Sequence, residues 1–350
     1  MSSLHKPLRV AVIGIGFGQH VHVPAWRTDD RCEVVAVAAS TLERARAVAE
    51  RLSVPAAYGH WREMLEKERL HAVSIALPPH LQPHVAQACA ERGVAIFCEK
   101  PAASTVKDAQ QMLTTAQDAR VGHAINFMFP EIPAWRAARD LLRAGAIGEP
   151  RHAALAWRVE TYAVRHNTQG WKQRAESGGG TLNNFVSHAV YYLQWLLGPV
   201  ASVQARLEPA APCDDVRVGA WVGFASGVML NLAVAADCPH GSGHRLEVYG
   251  SDGALILHND TSDYVRGFEL AMGTRADTAL QARPVLDNLT ETATDGRIAA
   301  TASIMRRLVD HLQGCALPTP NLADGLAVQR VLERFRASAS AGTRLDVGAA

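Results

Sequence analysis

A lysine stands at the end of a predicted strand, where a parallel sheet would bind its ligand. The apolar run Val94–Cys98 is followed by Glu99, Lys100 and Pro101. Ligands of an open parallel sheet lie beyond the carboxyl ends of its strands, and a proline disfavours helix for the residue before it. We therefore expect the Lys100 ammonium at the rim of the sheet, where it could stabilise an alkoxide during hydride transfer. An isolated Lys-Pro pair would be read as a surface lysine, but the pattern around this one favours catalysis.

A glycine-rich turn near the N-terminus supports that interpretation. It follows the strand-like run Leu8–Ile13 and places glycine at two positions of a dinucleotide fingerprint, whereas the third position is Gln19. Glycines there allow a tight turn and close approach of a pyrophosphate to a helix N-terminus. A purely structural turn is the alternative. The predicted dinucleotide contacts in this segment are Gly14, Gly16, Phe17, Gly18 and Gln19.

The end of the second predicted strand bears on the choice of dinucleotide. No carboxylate stands there to bind a ribose 2′-hydroxyl, and Ser40, Thr41 and Arg44 could instead bind a 2′-phosphate. Ser40 with Glu43 three residues later also matches a helix capping box, which needs no ligand. We favour NADP(H) on these residues and keep NAD(H) as the alternative.

A second polar cluster is predicted on a helix after three glycines, Gly178 to Gly180. Asn184, His188 and Tyr191 fall on one helical face, with Tyr192 beside it. The glycines would let a ligand approach the helix start. A histidine can exchange a proton at neutral pH, although a single helical histidine is more often structural.

Strand and helix signals alternate over the first third of the 350-residue chain, which predicts βαβ units and a doubly wound parallel Rossmann sheet. Later segments alternate polar and apolar residues between glycine turns, which predicts a large, open, mostly antiparallel sheet in an α/β domain. The predicted domains are residues 1–124, for the dinucleotide, and 125–350, for substrate and oligomerisation, with the C-terminal helix packing back on the first. The polar residues 268–300 predict a loop.

Composition excludes several classes of protein. The net charge is +1 without a basic block, so nucleic acid is not an expected partner. The chain shows neither a signal-peptide pattern nor an apolar run that could span a bilayer, and a cytoplasmic protein is expected. The six cysteines lack metal-ligand spacing, so we expect reduced thiols and no metal site.

Together these motifs resemble the Gfo/Idh/MocA oxidoreductase family, which includes glucose–fructose oxidoreductase and inositol dehydrogenase. The resemblance covers nearly the whole chain and is specific for the family but weak for the substrate. It rests on the glycine turn with His22, Ala76–Pro79 with His84, Glu99–Pro101, Gly145–Gly148, Gly178–His188 and Val248–Gly253.

The resemblance implies that Lys100 and His188 are catalytic, and it adds Leu77, Pro78, His84, Glu99 and Lys100 to the cofactor contacts. It also implies subunit contacts through the C-terminal sheet, hence a homodimer or homotetramer. Three positions depart from the family pattern: Asn184 and Tyr191 replace aspartates, and Met128 replaces an arginine. A proton relay would then rest on Lys100 and His188, with Tyr191 or Tyr192, while Asn184 only orients substrate. The expected substrate contacts are Asn184, Tyr191, Tyr192, Trp171 and Lys172, in a region that also includes Trp157, Tyr162 and His166.

The activity implied is hydride transfer between a nicotinamide and a secondary alcohol or ketone of a sugar, polyol or related small molecule. Two alternatives stay open. One is a non-catalytic protein of the same fold that senses dinucleotides or sugars, and the other is a non-redox enzyme with tightly bound NAD.

Overall fold

The computed structural model describes residues 6–168, 170–210, 213–261, 263, 265–285 and 295–348. The chain forms two compact units. The first contains Met1–Met128 and Ala293–Leu326, and the second contains Phe129–Thr292 and Ala327–Ala350. We keep the predicted division into a dinucleotide-binding domain, residues 1–124, and a substrate domain, residues 125–350, as a proposal.

The first unit is built on a six-stranded parallel sheet in the order β3-β2-β1-β4-β5-β6, which confirms the predicted doubly wound fold. β4 and β5 are buried along their whole length, as expected for a sheet covered on both faces. Its strands are β1 (Leu8–Ile13), β2 (Cys32–Ala38), β3 (Ala56–Tyr58), β4 (Ala72–Ile75), β5 (Ala95–Cys98) and β6 (His123–Ile125). The helices between them are α1 (Val23–Trp26), α2 (Leu42–Arg51), α3 (Trp61–Lys67), α4 (Gln82–Ala90) and α5 (Val106–Asp118).

The second unit contains a nine-stranded sheet in the order β14-β13-β12-β11-β7-β10-β9-β8-β15. Within the described part of this sheet, β7 and β10 pair in parallel and the other neighbouring strands pair antiparallel, so the predicted large and mostly antiparallel sheet is confirmed. Its strands are β7 (Pro150–Arg158), β8 (Val200–Ala210), β9 (Cys213–Phe224), β10 (Met229–Ala235), β11 (Gly243–Gly250), β12 (Gly253–Asn259), β13 (Glu269–Thr274), β14 (Gln281–Ala282) and β15 (Leu345–Asp346). Its helices are α6 (Pro133–Arg143), α7 (Tyr162–Arg165) and α8 (Ser187–Leu197).

Two long helices follow. α9 (Gly296–Leu312) belongs to the first unit, and α10 (Leu322–Ala341) begins in the first unit and continues in the second. The loop predicted over residues 268–300 is wrong in part, because β13, β14 and the start of α9 lie there. β13 escapes detection because it is a short strand in which buried and exposed residues alternate only once or twice. Residues 286–294 lie outside the described part of the chain.

All six cysteines are free thiols. Among the described residues, every helix is too short or too polar to cross a lipid bilayer.

Candidate active site

The glycine turn after β1 is shaped by close packing at two of its three glycines. Gly14 has a left-handed backbone (φ 93°), and a Cβ there would lie 2.2 Å from the carbonyl oxygen of Ala76. A Cβ on Gly18 would lie 2.7 Å from Cγ1 of Val12. A Cβ on Gly16 would meet nothing within 4 Å, so the backbone is open there. This open approach to a helix start fits the pyrophosphate of a dinucleotide.

The helix after this turn begins with a π turn, Gly18–His22, in which the Val23 N–H donates to the Gly18 carbonyl. The structure therefore assigns the helix-to-sheet packing of the third fingerprint glycine to Gly18, one residue earlier than the fingerprint position. Gln19, which occupies that position, accepts a hydrogen bond from Arg51. Phe17 is half-buried, with the Arg297 guanidinium 5.1 Å from the centre of its ring.

At the end of β2, Ser40, Thr41 and Arg44 are all exposed. The N-cap of α2 is Thr41 and not the predicted Ser40, because the Thr41 hydroxyl accepts from the Arg44 backbone N–H at 3.3 Å. Ser40 has a different partner, since the Arg44 guanidinium donates to its hydroxyl at 3.0 Å. A hydroxyl and a guanidinium thus lie together beyond the strand end, and β2 itself carries no carboxylate at its end.

The ends of β1, β4 and β5 lie side by side. Ile13 pairs with Ile75, and Ile75 pairs with Cys98. The glycine turn and Lys100 therefore follow strand ends two strands apart, which corresponds to about 10 Å. The order of the sheet reverses between β1 and β4, where ligands of this fold class bind.

Leu77 and Pro78 follow β4 at this edge and are half-buried. Leu77 lies near the glycine turn, since its Cδ2 would be 3.1 Å from a Cβ on Gly14. His84 is exposed on α4. The structure thus places two of these three predicted cofactor contacts at the strand ends, and the third on a helix surface.

The Glu99 carboxylate is held by a network of polar side chains. Its Oε1 lies 2.8 Å from Nε2 of His22 and accepts from the Asn126 amide at 2.7 Å. The other His22 nitrogen, Nδ1, lies 2.8 Å from the Ser74 hydroxyl, and the Asn126 amide donates to Thr301 at 3.2 Å. We call Ser74, His22, Glu99, Asn126 and Thr301 the Glu99 network.

The charge of Glu99 follows from these contacts. Burial alone would raise the pKa of Glu99, but His22, the Asn126 amide and the positive charge of Lys100 hold it below its ordinary value. The carboxylate is therefore ionised at neutral pH. No sequence motif singles out Ser74, Asn126 or Thr301, because each stands in a largely apolar stretch without a recognisable pattern of polar neighbours.

The backbone around Lys100 is held from the other side by Gln82, a buried residue that sequence reasoning missed. Its amide nitrogen lies within hydrogen-bonding distance of the carbonyl oxygens of Glu99 (3.0 Å), Pro101 (2.7 Å) and Ala102 (3.3 Å). The Lys100–Pro101 peptide is cis. Lys100 is half-buried, on a segment whose backbone and neighbouring carboxylate are both fixed.

In the second unit, the predicted role of the glycines before α8 needs correction. A Cβ on Gly179 would lie 2.2 Å from the Trp171 carbonyl oxygen, and one on Gly180 (φ 85°) would lie 2.5 Å from the Asp215 carboxylate. The space beside these glycines is thus filled by the chain itself and not left for a ligand. The Asp215 carboxylate accepts from the Leu182 N–H at 3.0 Å, at the start of the helical segment that leads into α8.

Burial raises the pKa of Asp215, although the hydrogen bonds from Leu182 and Thr181 and the charge of Arg336 oppose that shift. Arg336 is half-buried, its partial desolvation lowers its pKa, and it donates to the Asn183 amide oxygen at 2.7 Å. The start of the helical segment is therefore fixed by an acidic and a basic group from β9 and α10.

His188, Tyr191 and Tyr192 lie on α8 and are more buried than the sequence predicts. His188 is 5 % exposed, and its ring centre lies 5.1 Å from that of Phe129. Tyr191 is 9 % exposed. The Asn184 side-chain amide donates to the Lys172 carbonyl at 2.9 Å. The Lys172 ammonium lies 5.9 Å from the centre of the Trp171 ring.

Tyr192 is fully buried, and its hydroxyl lies 2.8 Å from Nε2 of His244. Burial raises the pKa of Tyr192 well above its ordinary value and lowers that of His244 to about 3. Both are therefore neutral at neutral pH, within a cluster that includes the stacked ring of Trp157. We accordingly move Tyr192 from the predicted substrate contacts to the core.

The chain is similar to known oxidoreductases over most of its length. Residues 8–127 match a Gfo/Idh/MocA family model described as an oxidoreductase family with an NAD-binding Rossmann fold, and residues 135–256 match a model of the family's C-terminal domain. An uncharacterized oxidoreductase of Synechocystis sp. is 30 % identical, covering 93 % of this chain and 92 % of its own. The D-apiose dehydrogenase of Paraburkholderia graminis is 27 % identical, and the match covers 98 % of this chain and 90 % of that dehydrogenase.

Among solved structures, a levoglucosan dehydrogenase in complex with NADH and levoglucosan is similar in fold. Its TM-score is 0.86 at 23 % identity, and the match covers 98 % of this chain and 100 % of that chain.

Proposed function

Because the chain belongs to the Gfo/Idh/MocA oxidoreductase family, we propose that it transfers a hydride between a nicotinamide dinucleotide and a secondary alcohol or ketone of a sugar, polyol or related small molecule. The bound nicotinamide accepts or supplies the hydride. The D-apiose and levoglucosan dehydrogenases among the similar proteins support a carbohydrate substrate. The protein itself binds and orients the coenzyme and the substrate, and its side chains transfer the proton.

The observation that carries this proposal is the placement of Lys100. It follows β5 on an anchored segment, two strands from the open backbone of Gly16. In our proposal the neutral Lys100 amine accepts the hydroxyl proton when an alcohol is oxidised, and the Lys100 ammonium donates that proton to the carbonyl oxygen when a ketone is reduced. A cation there also stabilises the alkoxide that develops between these states.

We propose His188 as the second proton-transfer group. The buried His188 ring packs against the ring of Phe129, and this packing keeps the imidazole in one orientation, as a proton-transfer group requires. Asn184 cannot act as a carboxylate base, and its amide is tied to the Lys172 carbonyl. Asn184 therefore orients substrate, together with Tyr191, Trp171 and Lys172.

For the coenzyme we propose NADP(H), with NAD(H) as the alternative. The exposed Ser40 hydroxyl, the Thr41 side chain and the Arg44 guanidinium lie together beyond β2, where a 2′-phosphate can accept hydrogen bonds from them.

A direct test measures absorbance at 340 nm while wild-type protein is incubated with NADP⁺ or NAD⁺ and a panel of pentoses, hexoses, anhydrosugars and inositols. The reverse direction uses the ketone forms with NADPH or NADH. We expect turnover of at least one carbohydrate, at higher kcat/KM with the phosphorylated coenzyme. Protein that binds dinucleotide but gives no net hydride transfer with any member contradicts the proposal.

Asn184 favours a second candidate, a non-catalytic protein that binds dinucleotides or sugars. An amide tied to backbone replaces a carboxylate that the resemblance leads one to expect. Sugar binding detected by calorimetry without any absorbance change in the same panel would support it. Tightly held coenzyme that is reduced and reoxidised within one turnover would instead point to a non-redox enzyme.

We also propose that the exposed face of the nine-stranded sheet forms the contact of a homodimer or homotetramer. Strand register places Trp221, Met229 and Tyr249 on this face, and they are 51 %, 39 % and 39 % exposed. Ala154 lies on the same face, paired with Asn231. Exposed aromatic and apolar groups beside small residues are typical of a contact surface.

Replacing Trp221 with Glu is therefore expected to dissociate the oligomer, because the charge cannot be buried unpaired in an interface. Light scattering after size-exclusion chromatography should give the mass of one chain for W221E and a multiple of it for wild type. Leu317→Glu is the matched control, since Leu317 is 40 % exposed in the first unit. An unchanged mass for W221E would rule out this face.

A further inference from the structure

A buried histidine in the first unit has no role in the reaction described above. His22 is 0 % exposed and lies edge-on between the rings of Phe17 and Phe97, each 5.3 Å away between ring centres. An apolar residue would fill this space at lower cost, because burying a polar ring requires both of its nitrogens to find hydrogen-bond partners. Packing alone therefore does not account for a histidine here.

The contacts of His22 connect it to the segment that carries Lys100. Both ring nitrogens have partners at 2.8 Å, Ser74 on one side and Glu99 on the other, so the ring is held in one orientation. The Glu99 oxygen that faces His22 also accepts from Asn126, which leaves Oε2 3.4 Å from the backbone nitrogen of Lys100. His22 stands in the π turn directly after the dinucleotide turn.

We propose that His22 is a positioning residue for Lys100. It orients the Glu99 carboxylate, which keeps the next residue at the rim of the sheet and places a fixed negative charge beside its ammonium. The Asn126 amide and the Thr301 hydroxyl complete the support of that carboxylate. The inference rests on the proton-transfer role proposed for Lys100, and it gives the Glu99 network a function in that role.

The test compares two substitutions at the same position. His22→Gln keeps an amide that can donate near the place of Nε2, whereas the shorter His22→Asn cannot reach Glu99. We expect H22N to lower kcat at least about tenfold, because small misplacements of a reacting group are costly. Dinucleotide Kd and substrate KM should change less than about threefold, and H22Q should recover most of the loss.

His60→Asn is the matched control. His60 is an exposed N-cap in the same unit, and Asn caps a helix well, so no change is expected. If H22N and H22Q lose kcat equally, or if dinucleotide affinity falls in step with kcat, the positioning role is wrong.

A second readout needs no turnover. Lysine side chains are labelled with acetic anhydride at pH 8, and the rate at Lys100 is compared by mass spectrometry with that at the exposed Lys107. In H22N, release of Glu99 removes a neighbouring negative charge and loosens the segment, so Lys100 should react at least about threefold faster. H22Q should label like wild type.

An unchanged Lys100 rate in H22N overturns the positioning role, whatever the activity. If Lys100 is labelled faster in H22N but wild-type protein turns over none of the carbohydrates, the positioning role is supported and the proposed function is wrong.

Discussion

Replacing Lys100 with Met is expected to lower kcat about a thousandfold, within the range that positioned acid–base groups contribute. This corresponds to about 4 kcal/mol of transition-state stabilisation. Met keeps the length and much of the volume of the lysine side chain but has neither a proton to exchange nor a charge for the alkoxide. Dinucleotide affinity should stay within about threefold of wild type, because the glycine turn is untouched. Steady-state kinetics and a fluorescence titration with NADPH measure the two quantities.

Lys107→Met is the matched control for this substitution. Lys107 is exposed on α5 in the same unit, and its loss should leave both quantities unchanged. Should K100M turn over like wild type, Lys100 is not the proton-transfer group. A parallel loss of kcat and dinucleotide affinity would mean that Lys100 contributes mainly to coenzyme binding.

A carboxylate introduced at the end of β2 is expected to reverse the coenzyme preference. Ala39 is the first residue after β2, and its backbone is fixed by a hydrogen bond to Tyr58. In Ala39→Asp, the new carboxylate can accept from a ribose 2′-hydroxyl and repels a 2′-phosphate. The ratio of kcat/KM for NADPH to that for NADH should fall at least about a hundredfold, since close like charges cost several kcal/mol near a protein surface.

Ala39→Asn separates charge from size in this experiment. It has nearly the same volume as Asp but no charge, so the ratio should fall much less. Arg44→Ala should weaken NADPH binding and leave NADH binding nearly unchanged, because its guanidinium faces the exposed Ser40 hydroxyl. A wild-type protein that prefers NADH, or an A39D variant that keeps the wild-type ratio, contradicts the proposed role of this strand end.

The parallel sheet was predictable because its signal is local. Continuous apolar runs such as Val94–Cys98 recur between helical segments, and each run predicts a strand from its own residues alone. Two strands of this parallel sheet, β3 and β6, have three residues each, too few for a periodicity to be recognised, and they depend on the neighbours with which they pair.

The sequence by itself determined the local features on which the proposed chemistry depends: the glycine turn, Lys100 after β5, and a histidine-bearing helix after three glycines. These features depend on spacing along the chain, which local backbone preferences translate directly into position. Which glycine packs against the sheet was decided by the π turn at Gly18, because a single added residue shifts every later contact.

Only the tertiary structure decided which polar side chains meet. Ser74, His22, Glu99, Asn126 and Thr301 come from five separate segments, and nothing in any one of them indicates the others. Tyr192 lies next to Tyr191 in the chain but is enclosed with His244. Burial and hydrogen-bond partners depend on elements brought together by folding, since a buried polar group is stable only where a distant partner satisfies it.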